Sequence, residues 1–274
     1  MKRMLIAALT ACLSLSAHAQ QAGDNVAVLG WFHVAPKDSS SALTTNVAPT
    51  PINTPLRLPN SFTSGGTGLS TNNANTAGLV ITHFFTDHIA LSSVAGVPPV
   101  FKVYGQGTIK PPGPAGALGS QNLGDPSSNP IIKSVRQWSP AAILQYYFGQ
   151  PTSKFRPFLG LGVSYNWFSD IQLNPNFVTS TQNNLGSVLA AGAGKPGTTQ
   201  VSAKASSSWQ PVFNAGAEYN ITDHWGLLAS ITYIPLKTTS SVIVKAADGT
   251  ELAVSRATLK ADPIISFLAV SYKF

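Results

Sequence analysis

Charge is scarce in this chain. Only 10 % of its 274 residues are Asp, Glu, Lys or Arg, against about 25 % in ordinary soluble domains. A typical water-facing surface cannot be built from so little charge. Cysteine is scarcer still, with a single copy at Cys12, which excludes a disulfide framework and a cysteine-built metal centre. Long apolar runs are missing too. Beyond the first twenty residues none approaches the ~20 that a membrane-spanning helix needs. A chain too uncharged for water and lacking helical spans points to closed β-barrels, the other architecture that satisfies every backbone polar group in lipid.

Basic clusters are also absent. The formal charge of +7 comes from lysines and arginines scattered singly, without the stripe that a nucleic-acid partner requires. The charge is therefore incidental, or an attraction to anionic lipid headgroups.

What is present begins with a leader. Lys2 and Arg3 form a positive start, Met4 to Leu15 an apolar stretch, and Ala17-His18-Ala19 a small-x-small cleavage site. These features predict a signal peptide over 1–19, removed after Ala19, and a mature domain over 20–274. A rival reading takes Leu9-Thr10-Ala11-Cys12 as a lipoprotein signal, at the expense of an unusually short leader. In the first reading Cys12 leaves with the leader and the mature charge falls from +7 to +5, the loss of Lys2 and Arg3.

Period-two alternation runs through the rest. From Phe155 to Phe168, one face carries Phe155, Pro157, Leu159, Leu161, Val163, Tyr165 and Trp167. The other carries Arg156, Phe158, Gly160, Gly162, Ser164, Asn166 and Phe168. The segments 137–148, 225–233 and 268–274 alternate in the same way. Short turns fall near 85–88, 149–154 and 221–224; long Gly/Pro/Ser/Asn-rich stretches fall near 37–73, 102–133, 170–207 and 240–258. Three short and four long connections join eight strands. The predicted fold is all-β: an eight-stranded antiparallel transmembrane β-barrel with long extracellular loops, short periplasmic turns and both termini in the periplasm.

Aromatic residues supply a ruler. Tyr146, Phe148, Phe155, Tyr219, Trp225, Tyr272 and Phe274 lie near short turns or the C-terminus, while Trp138, Tyr165, Trp167 and Tyr233 lie at the opposite strand ends. Ten residues separate Phe155 from Tyr165, which is ~33 Å along a strand and ~25 Å on the membrane normal at a ~40° tilt, the height of a barrel's apolar band.

Gln145-Tyr146-Tyr147-Phe148-Gly149, followed by Lys154-Phe155-Arg156-Pro157-Phe158-Leu159-Gly160-Leu161-Gly162, resembles the central signature of the OmpW family. Agreement extends to Phe85-Thr86-Asp87-His88-Ile89-Ala90, Ile221-Thr222-Asp223-His224-Trp225, and Asp262-Pro263 ahead of Tyr272-Lys273-Phe274. The resemblance covers nearly all predicted strands and little of the long loops. It implies passage of small hydrophobic molecules across the outer membrane, with membrane lipid and lipopolysaccharide as surroundings. Phe274 resembles the signal read by the barrel-assembly machinery. The first strand departs from the pattern, with Trp31 and His33 where an inward arginine is expected.

Other motifs carry less. Gly192-Ala193-Gly194-Lys195 is followed by Pro196 rather than Ser or Thr, so it is no phosphate loop and is expected to be a flexible external loop. The Thr86–His88 and Thr222–His224 turns use ordinary turn residues, and nothing brings them together around a metal. A hydrolase in the barrel wall needs a nucleophile and base within hydrogen-bond reach; His83 faces lipid with no serine in register. No enzyme activity, cofactor or metal is expected.

Eight strands enclose a lumen that side chains can fill, so a broad aqueous pore is not expected. An apolar solute captured in an outer vestibule must then leave sideways. The expected capture surface is inward Val94, Phe158 and Phe168, with Trp138 and Trp209 near the rim. Pro98, Pro99 and Pro140, unable to donate to the ladder, mark a candidate gap between the third and fourth strands, or simply end those strands. Arg156, Glu218 and Lys273 are expected lumenal charges. The alternative is a non-transporting barrel that displays loops for adhesion or envelope support.

Overall fold

The computed structural model describes residues 20–117 and 119–274; the leader predicted over 1–19 lies outside them. Eight strands form the barrel: β1 (Asn25–Ala35), β2 (Ala74–Phe84), β3 (Ile89–Gly96), β4 (Ala141–Tyr147), β5 (Phe155–Leu173), β6 (Ser208–Asn220), β7 (Trp225–Tyr233) and β8 (Ile264–Lys273). Each pairs antiparallel with its sequence neighbours, and β1 pairs with β8, so the sheet closes on itself. Closure leaves no bare edge in the hydrocarbon.

The predicted faces hold. Leu159, Leu161 and Val163 point outward from β5, whereas Arg156, Phe158 and Ser164 are buried inside. Leu161 is 65 % and Leu268 67 % exposed, which only a hydrocarbon surround makes favourable. The girdles assemble across strands. On the outer side Tyr165 packs on Trp167 and Trp209, with centroids 5.6 and 4.9 Å apart. On the periplasmic side Trp225 packs on Tyr272 at 4.8 Å and Tyr146 on Phe148 at 5.1 Å.

The two Thr-Asp-His turns share one construction. Thr86 Oγ1 accepts from the backbone N–H groups of His88 and Ile89; Thr222 Oγ1 accepts from those of His224 and Trp225. Each histidine Nδ1 then meets a carbonyl of the next strand, Tyr147 at 2.9 Å and Lys273 at 3.0 Å. These residues are turn and girdle parts.

Two expectations are corrected. Trp31 and His33 do not point inward: Trp31 is 57 % exposed and His33 bonds Asn75 at 2.8 Å. The inward positions are Gly30, Phe32 and Val34, and Phe32 stacks on Phe267 at 4.0 Å. The long extracellular connections carry structure of their own. Leu43–Val47, Ser61–Ser64, Gln200–Ala205, Lys237–Lys245 and Glu251–Lys260 form a sheet above the membrane, and Ser39–Ser40 pairs with the end of Glu251–Lys260. Val100–Gln106 and Ile132–Trp138 prolong the third and fourth strands beside the upper half of β5. Phe62, Phe101, Leu123, Ile131 and Phe177 anchor a core between these parts. Gly192–Lys195, expected to be flexible, ends a short helix (Ser187–Gly192) and is pinned where Lys195 Nζ donates to Asp248 Oδ2 at 2.5 Å.

Two outcomes follow. Leu161→Lys puts a charge on the lipid face and should destabilise the barrel by about 2–4 kcal/mol in urea unfolding from lipid vesicles. The Asp248 carboxyl is lowered to about 2 by its bonds to Lys195 and Thr250. A depressed carboxyl contributes its stability above its unfolded value and loses it as pH falls. The Lys195–Asp248 clamp should therefore hold at pH 5 and open as pH falls from about 4 through 2, seen as loss of amide exchange protection over residues 193–197.

Candidate functional site: an apolar lumen beside a break in the wall

The periplasmic half of the lumen is solid. Arg156 is wholly buried; its Nη1 donates to the Gln20 carbonyl at 2.8 Å and its Nη2 to the Asp87 carbonyl. The guanidinium lies 5.3 Å from the Tyr147 ring centroid and 5.8 Å from that of Phe84, and Phe158 closes against Tyr147 at 4.9 Å. Glu218, the cross-strand partner of Arg156, accepts from Ser271 Oγ at 2.5 Å. Lys273 is inward and pairs with Asp24 at 3.5 Å. These three charges rivet the floor.

Above the floor lies a chamber of about 380 Å³, where ~150 Å³ of apolar cavity suffices for benzene. Its walls include Phe32, Val80, Val94, Ile143, Val212 and Phe267. Its base is a chain of neutral hydrogen bonds crossing five strands: Thr82 with Ser92 at 2.7 Å, Ser92 Oγ to Gln145 Oε1 at 2.6 Å, Gln145 Nε2 to Asn214 Oδ1 at 2.9 Å, and Asn214 Nδ2 to Thr232 Oγ1 at 2.9 Å. Among the described residues no charged side chain lines this chamber. A second void of about 80 Å³ sits above, among Phe101, Val103, Val135, Phe168 and Ile171. The two share Val34 and Gln137 as a neck.

The chamber's outer wall is incomplete. β3 and β4 pair up to Val94↔Ala141. Pairing resumes only where Gln137 N–H donates to the Pro99 carbonyl and Arg136 meets Val100. Between these points β3 stays bonded to β2, through Ala95↔Leu79 and Gly96↔Gly78. The fourth strand stays bonded to β5, through Tyr165 N–H to the Pro140 carbonyl and Trp138↔Trp167. The ladder therefore parts at this seam. Val97, Pro98, Pro99, Trp138, Ser139 and Pro140 frame it, and all of them line the chamber.

The residues read from sequence thus separate. Val94 and Phe158 face the lower chamber and Phe168 the upper void; Pro98, Pro99 and Pro140 meet at the seam. Trp138 lines the chamber at the seam's outer lip, stacked on Trp167 at 5.7 Å. Trp209 is corrected outright: at 69 % exposure it stands on the outer face of β6 against Tyr165 and lines neither space, because its parity is that of lipid-facing Phe213. His83 bonds Asn25 at 2.9 Å and packs edge-on to Phe85. Sequence reasoning missed Phe32, Phe267 and the Gln145–Asn214 belt. Parity alone could have found them, since all are inward and mid-strand.

A closed barrel with two aromatic girdles, a hydrocarbon-facing exterior and periplasmic turns is a protein of the bacterial outer membrane. The sequence model of the OmpW family matches residues 39–274, and the chain belongs to that family. It is 28 % identical to "Outer membrane protein W" of Vibrio cholerae over 270 residues, covering 98 % of this chain and 97 % of that one. It is 24 % identical to "Outer membrane protein W" of Escherichia coli along the full length of both. The crystal structure of the outer membrane protein OprG from Pseudomonas aeruginosa has the same fold, with TM-score 0.67 at 22 % identity over 93 % of this chain and 98 % of that one.

Arg156→Met removes the buried guanidinium that binds the Gln20 and Asp87 carbonyls. Two charge-assisted hydrogen bonds at ~1.5–3 kcal/mol each predict a loss of about 3–6 kcal/mol, measured as a lowered urea midpoint in lipid vesicles, with a rise in single-channel conductance as the floor loosens.

Proposed function

We propose that this barrel passes small, neutral, largely apolar molecules from the cell surface into the outer membrane, releasing them sideways between β3 and β4. An apolar solute crosses the polar saccharide layer poorly and gains on entering an apolar chamber. The observation that carries the reading is the break between Val94↔Ala141 and Val100↔Arg136, which lies directly beside the larger chamber and above a sealed floor. Solute enters through the upper void as the extracellular sheets part, passes the Val34–Gln137 neck, rests on the neutral belt, and leaves between Pro98, Pro99 and Pro140. Three prolines, and pairing of Ala95 and Gly96 with β2 alone, keep that seam from zipping shut.

The rest of the reading concerns export. Residues 1–19 act as the cleaved leader of a mature barrel over 20–274, and outward Phe274, beside the periplasmic girdle, is the feature offered to the assembly machinery. The display alternative has no use for an apolar chamber reaching the wall.

Val94→Trp and Ala141→Trp fill the chamber behind the seam. Uptake of a small aromatic hydrocarbon into proteoliposomes should fall toward that of protein-free vesicles, and Phe168→Asp should also impair it. Trp209→Ala should leave it unchanged. Wild-type uptake by folded Val94→Trp and Ala141→Trp proteins would end the lateral-release reading.

A further inference from the structure

The positive charge of the mature chain is not spread evenly. Residues 36–73, 97–140, 166–207 and 234–263, which lie beyond the outer girdle or at its edge, hold twelve Lys or Arg against six Asp or Glu. The remaining mature residues hold three against four. The excess is therefore all on the cell-surface side.

Part of it sits where like charges should not. Lys237 and Lys260 are direct cross-strand partners on the outer face, a few residues above Tyr233 and Ile264 at the membrane edge. Both are exposed, while their neighbours Thr238 and Leu259 are buried. Like charges directly opposite each other destabilise a sheet unless something neutralises them. Among the described residues neither makes an ion pair, although Asp262 is only two residues from Lys260. On the opposite side of the ring the arrangement recurs. Lys102 lies between Phe101 and Val103, whose partners are Val135 and Ile132, so Lys133 falls in the bulge facing it. Lys102 and Lys133 are also exposed, and this second pair stands just above the seam between β3 and β4. The nearby cation Arg136 is already engaged with Asp170 at 3.2 Å.

We propose that these two lysine pairs are docking sites for the phosphate groups of the outer-leaflet glycolipid, lipopolysaccharide. Lys237 and Lys260 lie four residues above Tyr233 and Ile264 at the membrane edge, and Lys102 and Lys133 stand above the girdle residue Trp167, on the headgroup side. A phosphate between two ammonium groups turns each repulsive pair into a bridged one. Two sites on opposite flanks fix the barrel in its lipid annulus, and the one above the seam places a saccharide roof over the lateral opening. This inference rests on the outer-membrane location alone and stands whether or not solute leaves sideways.

The test measures lipid retained by the full mature barrel in native mass spectrometry. The probes are bisphosphorylated lipid A, monophosphorylated lipid A and phosphatidylglycerol. Wild type should retain the bisphosphorylated form best. The Lys237→Gln/Lys260→Gln and Lys102→Gln/Lys133→Gln double variants should each lose about tenfold or more in retention, and the corresponding Lys→Arg variants should keep it. Uptake by the Lys237→Gln/Lys260→Gln protein, whose changes lie far from the seam, should stay at the wild-type level. Wild-type retention by both Gln variants would overturn the proposal, as would equal retention of phosphatidylglycerol. The substituted side chains are exposed, and heat-shifted gel migration verifies folding.

Discussion

In hydrocarbon a backbone N–H or C=O has no partner but another backbone group. Everything else in this protein is arranged around that requirement. It forces the eight strands to close, it sets period-two alternation as the only pattern by which one ribbon can face both lipid and lumen, and it makes any gap in the ladder costly. A chain that tolerates such a gap must place it where the freed groups are otherwise served. Here the break between β3 and β4 sits at the outer edge of the membrane. Prolines remove part of the donor demand there, and each flanking strand remains paired on its other side.

The same constraint divides the lumen. Below Phe158 the interior is filled by Arg156, Tyr147, Phe84 and Glu218; the guanidinium binds the Gln20 carbonyl and lies over the Tyr147 ring, and Glu218 accepts from Ser271. Above it, the neutral belt from Thr82 to Thr232 caps the plug and turns its polar atoms toward each other. The remaining wall is apolar enough to receive a solute. The floor closes a straight path to the periplasm, and the seam is the complementary feature. Neither explains the other's position alone; the closed floor and the parted ladder flank the same chamber.

The chain's scant charge also has a pattern. Three lumenal charges lock the floor, and the surplus of lysine and arginine lies on the cell-surface side. Scattered singly in sequence, these residues looked incidental because pairing across strands cannot be read from a linear order. Lys237 and Lys260 are 23 positions apart and meet only because the Lys237–Lys245 and Glu251–Lys260 strands form a hairpin.

Alternation, turn chemistry and aromatic placement were sufficient to determine the strand number, the faces of β4, β5, β7 and β8, the girdles and the inward charges, because each depends on local geometry that repeats every two residues. Parity also identified Val94, Phe158 and Phe168 as inward. It could not tell that Trp138 sits at an outer lip, and rim position misled at Trp209, whose parity already faced it outward. Tertiary structure decided the rest. Serine- and threonine-rich stretches such as Leu43–Val47 and Lys237–Lys245 have the composition of loops and become strands only when a neighbouring strand pairs with them. Whether prolines end two strands or open a seam between them depends on which partners the flanking residues choose, and that choice is made across the barrel, not along the chain.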